Sequence, residues 1–171
     1  MVKLSLGTYS LFLPIVFWGV LLGGIVYSHI VFFPVFLSDL PDSSVVVNGT
    51  YGLTEAPFWI LTHSLLLVSL SIALAFNWKF RERRKLILTS FSIYIVVLIV
   101  STLYFVPELI AFSQSPKSNL SSSEWLSRSN RWQYLSWIRG AVCFLSFLPL
   151  LVALAKTESN SREPESSAVS N

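Results

Sequence analysis

Charge is what this chain has least of. Only 12% of its 171 residues are Asp, Glu, Lys or Arg, about half the share usual in soluble domains. Cysteine is reduced to Cys143 alone, which excludes an intrachain disulfide framework, a CxxC redox pair with its quinone-linked chemistry, and a thiolate metal site within one chain. Histidine is limited to His29 and His63. No basic stripe follows the chain as a phosphate backbone would require, so the net charge of +3 does not point to nucleic acid. Apolar side chains are what the sequence has in plenty: 53% of residues are hydrophobic and the mean hydropathy is +0.65.

A membrane helix needs roughly 20 mainly apolar residues. Four stretches meet this: 11–36, 58–76, 86–106 and 136–155. The first follows Lys3, as in a secretion signal, but it is too long for a signal core and ends without a small-x-small cleavage site, so it reads as a retained span. In lipid the backbone must satisfy itself, so each stretch is expected to be a helix. The expected fold is all-α, a polytopic four-transmembrane-helix bundle over residues 1–155. Pro14, Pro34, Pro107 and Pro149 are expected at ends or kinks, with Pro57 in a first turn and Thr54 as its cap. Residues 156–171 form a polar Ser- and Glu-rich tail, expected to be disordered.

The connections suggest an orientation. "NWKFRERRK", residues 77–85, holds five basic residues, whereas 37–57 holds none. By the positive-inside rule both termini and this turn are expected in the cytoplasm, in an integral, multi-pass arrangement. Sequons at Asn48 and Asn119 then fall on the other side. Trp125, Trp132, Tyr134 and Trp137 read as an aromatic belt, with a short amphipathic interfacial helix around the first two.

Ionisable groups inside spans are functional candidates by default. Counting helical rise, His29, His63, Tyr104, Glu108 and Arg139 all fall in the outer layer, although they come from four helices. Tyr94, Ser101 and Glu108 recur every seven residues on one face of the third span, with Tyr104 a turn from the last two. Trp132 and Arg139 are also seven apart, and Glu55, Trp59 and His63 four apart. Gly19 and Gly23 form a small-xxx-small face for a neighbouring helix. Bland alternatives stand beside these: Arg139 as a snorkelling headgroup contact, Glu108 as a solvated interfacial carboxylate, each histidine as a packing residue.

The chemistry such a layer would support divides three ways. His29, His63 and Glu108, with Glu55 as a fourth, make an N/O ligand set, and the two histidines suit axial haem ligation. Without a metal, a histidine would act as general base while Arg139 stabilises a phenolate or enolate and pairs with Glu108. The cofactor stays open. A proton-coupled exporter fits less well, because no span carries a carboxylate near its centre.

The motifs also resemble a family. "GGIVYSHIVFFP", "APFWILTHSL", the turn "RERRK", "TLYFVPELIAF" and "SRSNRWQYLSWIRG", with its R-x-x-x-W-x-x-x-x-x-x-R pattern, look like the four-span membrane family of largely unknown function that includes the anthrone oxygenases. The resemblance covers about residues 8–155. It implies a four-helix membrane bundle and, for some members, oxidation of an apolar aromatic substrate. His63, Asn130, Trp132 and Arg139 are the positions it carries over. The candidate catalytic set is then His63, His29, Arg139, Glu108 and Tyr104, with Trp132, Asn130 and Trp59 as substrate contacts. The alternative is a non-catalytic membrane protein that packs with partners or binds lipid, through the Gly19/Gly23 face or as a helix–helix oligomer.

Overall fold

A computed structural model describes residues 5–156. The tail expectation from 157 onward lies outside these residues. Six α-helices form four rods: α1 (Leu6–Tyr27) continued by α2 (Phe33–Phe36), α3 (Ala56–Phe76), α4 (Arg81–Val100) continued by α5 (Val106–Ser113), and α6 (Ser122–Ala155). The rods Leu6–Phe36, Ala56–Phe76, Arg81–Ser113 and Ser122–Ala155 are each long and apolar enough to cross a bilayer, and no strand occurs among the described residues. The chain is an all-α, four-span membrane bundle.

Local chemistry sets the ends. The Ser5 hydroxyl accepts from the Thr8 N–H at the start of α1, and Ser121 with Glu124 closes a capping box on α6. Pro57 lies in the first turn of α3 as expected, but the cap position belongs to Glu55, not Thr54. Residues 122–135 form no separate interfacial helix: they begin α6, which a capping box starts and which runs unbroken for 34 residues into the apolar stretch.

Two rods change pitch midway. Ser28–Phe32 and Ser101–Phe105 are π-helical, and in each the first serine carbonyl accepts from a backbone N–H five residues on, that of Phe33 and of Val106. Pro34 and Pro107 follow immediately. Lacking an N–H, each proline withholds one α-type bond, and wider turns of this kind concentrate at functional sites. Pro14 and Pro149 lie within helices that continue through them.

α1 packs along α3 and α4 along α6, and α1 joins the two pairs through α6. α3 and α4 touch less than any of these pairs, so a thin seam runs between them. Close approach is set by Gly24, where an added Cβ would lie 2.5 Å from the Phe58 ring, and by Gly140, where it would lie 3.2 Å from Ile25. Gly19 and Gly23 face open space, so that pair does not serve packing within the chain. Ile60, Val68, Val96, Leu103 and Leu145 are all exposed, which leaves an apolar exterior suited to lipid.

The ends of the bundle differ. At the turn end, buried Arg83 donates to Thr8 Oγ1, Asn77 Oδ1 and the Lys156 carbonyl, while Asn77 donates to the carbonyls of Gly7 and Ala73. One basic side chain of the 77–85 turn thus ties all four rods. At the loop end Phe33, Phe36, Phe105, Phe112, Trp125 and Trp132 form a second core. There Asn48 donates to the carbonyls of Ser44 and Ser113, joining the two long loops.

Candidate functional site

The first polar cluster forms around Arg139. One rod supplies His29 from its π turn, another Ser101 from the other π turn, and α6 supplies Ser136 and Arg139 one turn apart. The His29 Nδ1 lies 2.7 Å from the Ile25 carbonyl, which can only accept, so Nδ1 carries the proton. Its Nε2 then accepts from the Ser136 hydroxyl at 3.0 Å, and Ser136 in turn accepts from Arg139 Nη2 at 3.0 Å. Arg139 Nη1 donates to Ser101 Oγ at 3.1 Å, while the Ser101 hydroxyl donates to the Val97 carbonyl at 2.6 Å. The guanidinium lies 4.3 Å over the Phe105 ring. Arg139 is held inward, so the snorkelling alternative does not describe it.

The second cluster centres on His63. Tyr94 is fully buried, and among the described residues its hydroxyl has one partner, the His63 Nδ1 at 2.5 Å. Whichever of the two atoms donates, the contact uses only Nδ1, and the His63 Nε2 has no hydrogen-bond partner among the described residues. His63 therefore presents a free ring nitrogen, Nε2, on the α3–α4 seam, where it is only half-buried. Trp59 stacks on it at 5.9 Å and donates to Glu55 Oε2 at 3.2 Å, and Ser28 donates to Glu55 Oε1 at 2.6 Å. Glu55 reaches α1 through Ser28 rather than standing over His63. Ser28 and His29 are neighbours, so the two clusters join at one peptide unit.

They are not at one depth. Tyr94 and Ser101 lie two turns apart on the same rod, about 10 Å along the axis, so His63 is set well below the Arg139 contacts. The expected shared layer is two stacked levels.

Tyr104 and Glu108 form a third group at the loop end. Glu108 pairs with Arg128, not with Arg139, through bonds of 2.6 and 2.8 Å. The continuing helix past the π turn carries Glu108 beyond Arg139, while Arg128 lies on the stretch of α6 that faces it. Arg128 also lies 5.2 Å over the Trp125 ring. Tyr104, Glu108, Glu124, Ser127, Arg128 and Arg131 line an open cavity of about 370 Å³.

Several expected residues are placed otherwise. Trp132 is buried in the loop-end core, donates to the Phe105 carbonyl at 3.1 Å and has no free face for a substrate. Trp125 is buried too, so only Tyr134 and Trp137 remain as exposed belt residues. Asn130 is exposed on α6, apart from both clusters. Among the described residues no three His, Cys, Asp or Glu side chains gather as a metal set, because Glu108 is engaged at the loop end and both His29 nitrogens are occupied. Tyr94 and Ser101, of the seven-residue stripe, lie outside the candidate set, and the structure brings them to His63 and Arg139. Ser136 carried the signal of its one-turn spacing to Arg139, and nothing in the sequence marked Ser28 or Arg128 as partners.

The geometry defines a four-span membrane bundle with two linked polar clusters inside it. Comparison with protein-family models, with curated proteins and with solved structures finds no match for this chain.

Proposed function

We propose that this chain is a membrane-embedded oxidoreductase that admits an apolar aromatic molecule from the bilayer and oxidises it at the His63–Arg139 region, as in the anthrone oxygenases whose motifs it resembles. The observation that carries this reading is the spare hydrogen-bonding capacity of the two clusters: His63 presents an unpartnered Nε2 on the thin α3–α4 seam, and Arg139 stands above it with no carboxylate partner among the described residues. Trp59 offers an aromatic face beside His63. Donors fixed in a site of low dielectric stabilise charge that develops on a reacting oxygen. The charge bias of the connections supports a cytoplasmic position for both termini and the turn end, with the clusters toward the far side.

The test is dioxygen uptake by membranes carrying the chain, with anthrone as substrate. His63→Ala and Arg139→Gln are each expected to lower the rate by about 100-fold or more with undiminished protein in the membrane. Wild-type membranes that consume no dioxygen above background would remove the reading.

A second reading rests on Gly19 and Gly23, which present a small-residue face to open space. Such faces admit close helix approach, so a non-catalytic packing role with a second membrane helix follows from it.

A further inference from the structure

We infer that Arg139 is the receptor for the oxyanion of a lipid-soluble molecule, an apolar body bearing one phenolate or carboxylate oxygen, which supplies the counter-charge the chain withholds. This rests on the binding half of the proposed function and not on its oxidative half.

A guanidinium inside a membrane span is costly unless paired or drawn to the interface. Arg139 is neither. Its side chain is turned inward onto Ser101, Ser136 and the Phe105 face, and among the described residues no carboxylate pairs with it. The carboxylate best placed by sequence, Glu108, is committed through both oxygens to Arg128.

The hydroxyls that hold Arg139 cannot neutralise it. Ser101 gives its proton to the Val97 carbonyl and Ser136 gives its proton to His29, so each turns only lone pairs toward the guanidinium. They orient the charge without cancelling it. A guanidinium has five N–H donors, and two are used here. Arg139 is half-buried rather than sealed in the core, so an anion can approach it from the bundle surface. An anion that fits there must tolerate lipid on its other side, which selects an apolar body. Opposite charge at contact distance favours an ionised oxygen by about 1 to 3 pKa units.

The probe is 2-naphthol, titrated by absorbance against the purified chain in detergent micelles and against protein-free micelles. The bound fraction is expected to ionise about 1 to 3 units lower in the presence of the wild-type chain. Arg139→Gln is expected to abolish that displacement and Arg139→Lys to keep part of it. Arg131→Gln, which removes an exposed arginine of the loop end, is expected to leave it intact. 2-Methoxynaphthalene, which has no ionisable oxygen, is expected to bind wild type and Arg139→Gln equally.

Decanoate that displaces naphtholate identifies a fatty-acid-like source for the anion, and failure to displace identifies a phenolate; either keeps the oxyanion site. Titration of wild type that coincides with empty micelles, or a displacement that survives Arg139→Gln or vanishes in Arg131→Gln, overturns the inference. Should Arg139→Gln not accumulate, the wild-type and Arg131→Gln titrations decide. A displaced naphthol titration without dioxygen uptake on anthrone would sink the oxidative reading alone.

Discussion

Trp132 and Asn130 lie two residues apart on α6 and have opposite fates. Trp132 is 1% exposed, its ring is set edge-on to Phe33, Phe105 and Phe112, and its indole N–H is spent on a backbone carbonyl. Asn130 is exposed and makes no contact that the clusters use. Trp132→Ala removes a large side chain from a close-packed core and leaves a cavity, at a cost of about 3–5 kcal/mol. It is expected to lower the unfolding temperature in detergent sharply, whereas Asn130→Ala should stay within about 0.5 kcal/mol of wild type. Equal thermal stability of the two variants would show that the loop-end core is not built on this indole. Both residues belong to one motif in the sequence. Adjacency there cannot tell which side of a helix becomes core, because the answer depends on where Phe33 and Phe105 arrive from other rods.

At the scale of elements, the four spans were legible because a bilayer imposes a minimum apolar length, and each expected stretch lies inside an observed rod. The ends were less legible. α6 extends 14 residues before the apolar stretch that begins at Ser136, since polar residues continue a helix at little cost once lipid no longer demands apolar ones. Of the partners of Arg139, only Ser136 on its own helix was legible, and the meeting with His29 and Ser101 was not: the two π turns alter the phase of the rods that carry them, and no spacing rule built on 3.6 residues anticipates that. Glycine roles followed the same limit. Gly24→Leu would drive a side chain into the Phe58 and Trp59 rings, which lie 2.5 and 3.3 Å from its Cβ position, so it is expected to part α1 from α3 and to expose the monomer to limited proteolysis. Gly19→Leu has open space in front of it and should leave the monomer intact. Loss of a dimer or of a co-purifying protein in Gly19→Leu, read by size-exclusion chromatography, would support the packing role; an unchanged elution would remove it.

For the whole molecule, the two ends of the bundle follow from different physics, and that difference fixes what the orientation test must read. The turn end is a polar staple: Arg83 and Asn77 are both buried, Arg83 holds the Lys156 carbonyl at a helix C-terminus, where carbonyls lack helical partners, and Asn77 ties the Gly7 carbonyl in the first turn of α1. The loop end is aromatic and closes over the Arg139 level. The clusters lie nearer the loop end, so the side from which a ligand or a reactive oxygen species meets them depends on which end faces the cytoplasm. Cys143 is buried at 1% exposure, so Cys143→Ser in a small buried position supplies a thiol-free background at modest expected cost, about 1 kcal/mol. In that background Tyr51→Cys, at a side chain 96% exposed in the first long loop, and Lys79→Cys, exposed in the basic turn, mark the two ends. A membrane-impermeant maleimide applied to intact cells is expected to label Tyr51→Cys and to reach Lys79→Cys only after lysis, because five basic residues in that turn resist translocation. Labelling of Lys79→Cys in intact cells would invert the bundle and set the Arg139 level toward the cytoplasm, and the source of any ligand would have to be sought in the opposite leaflet.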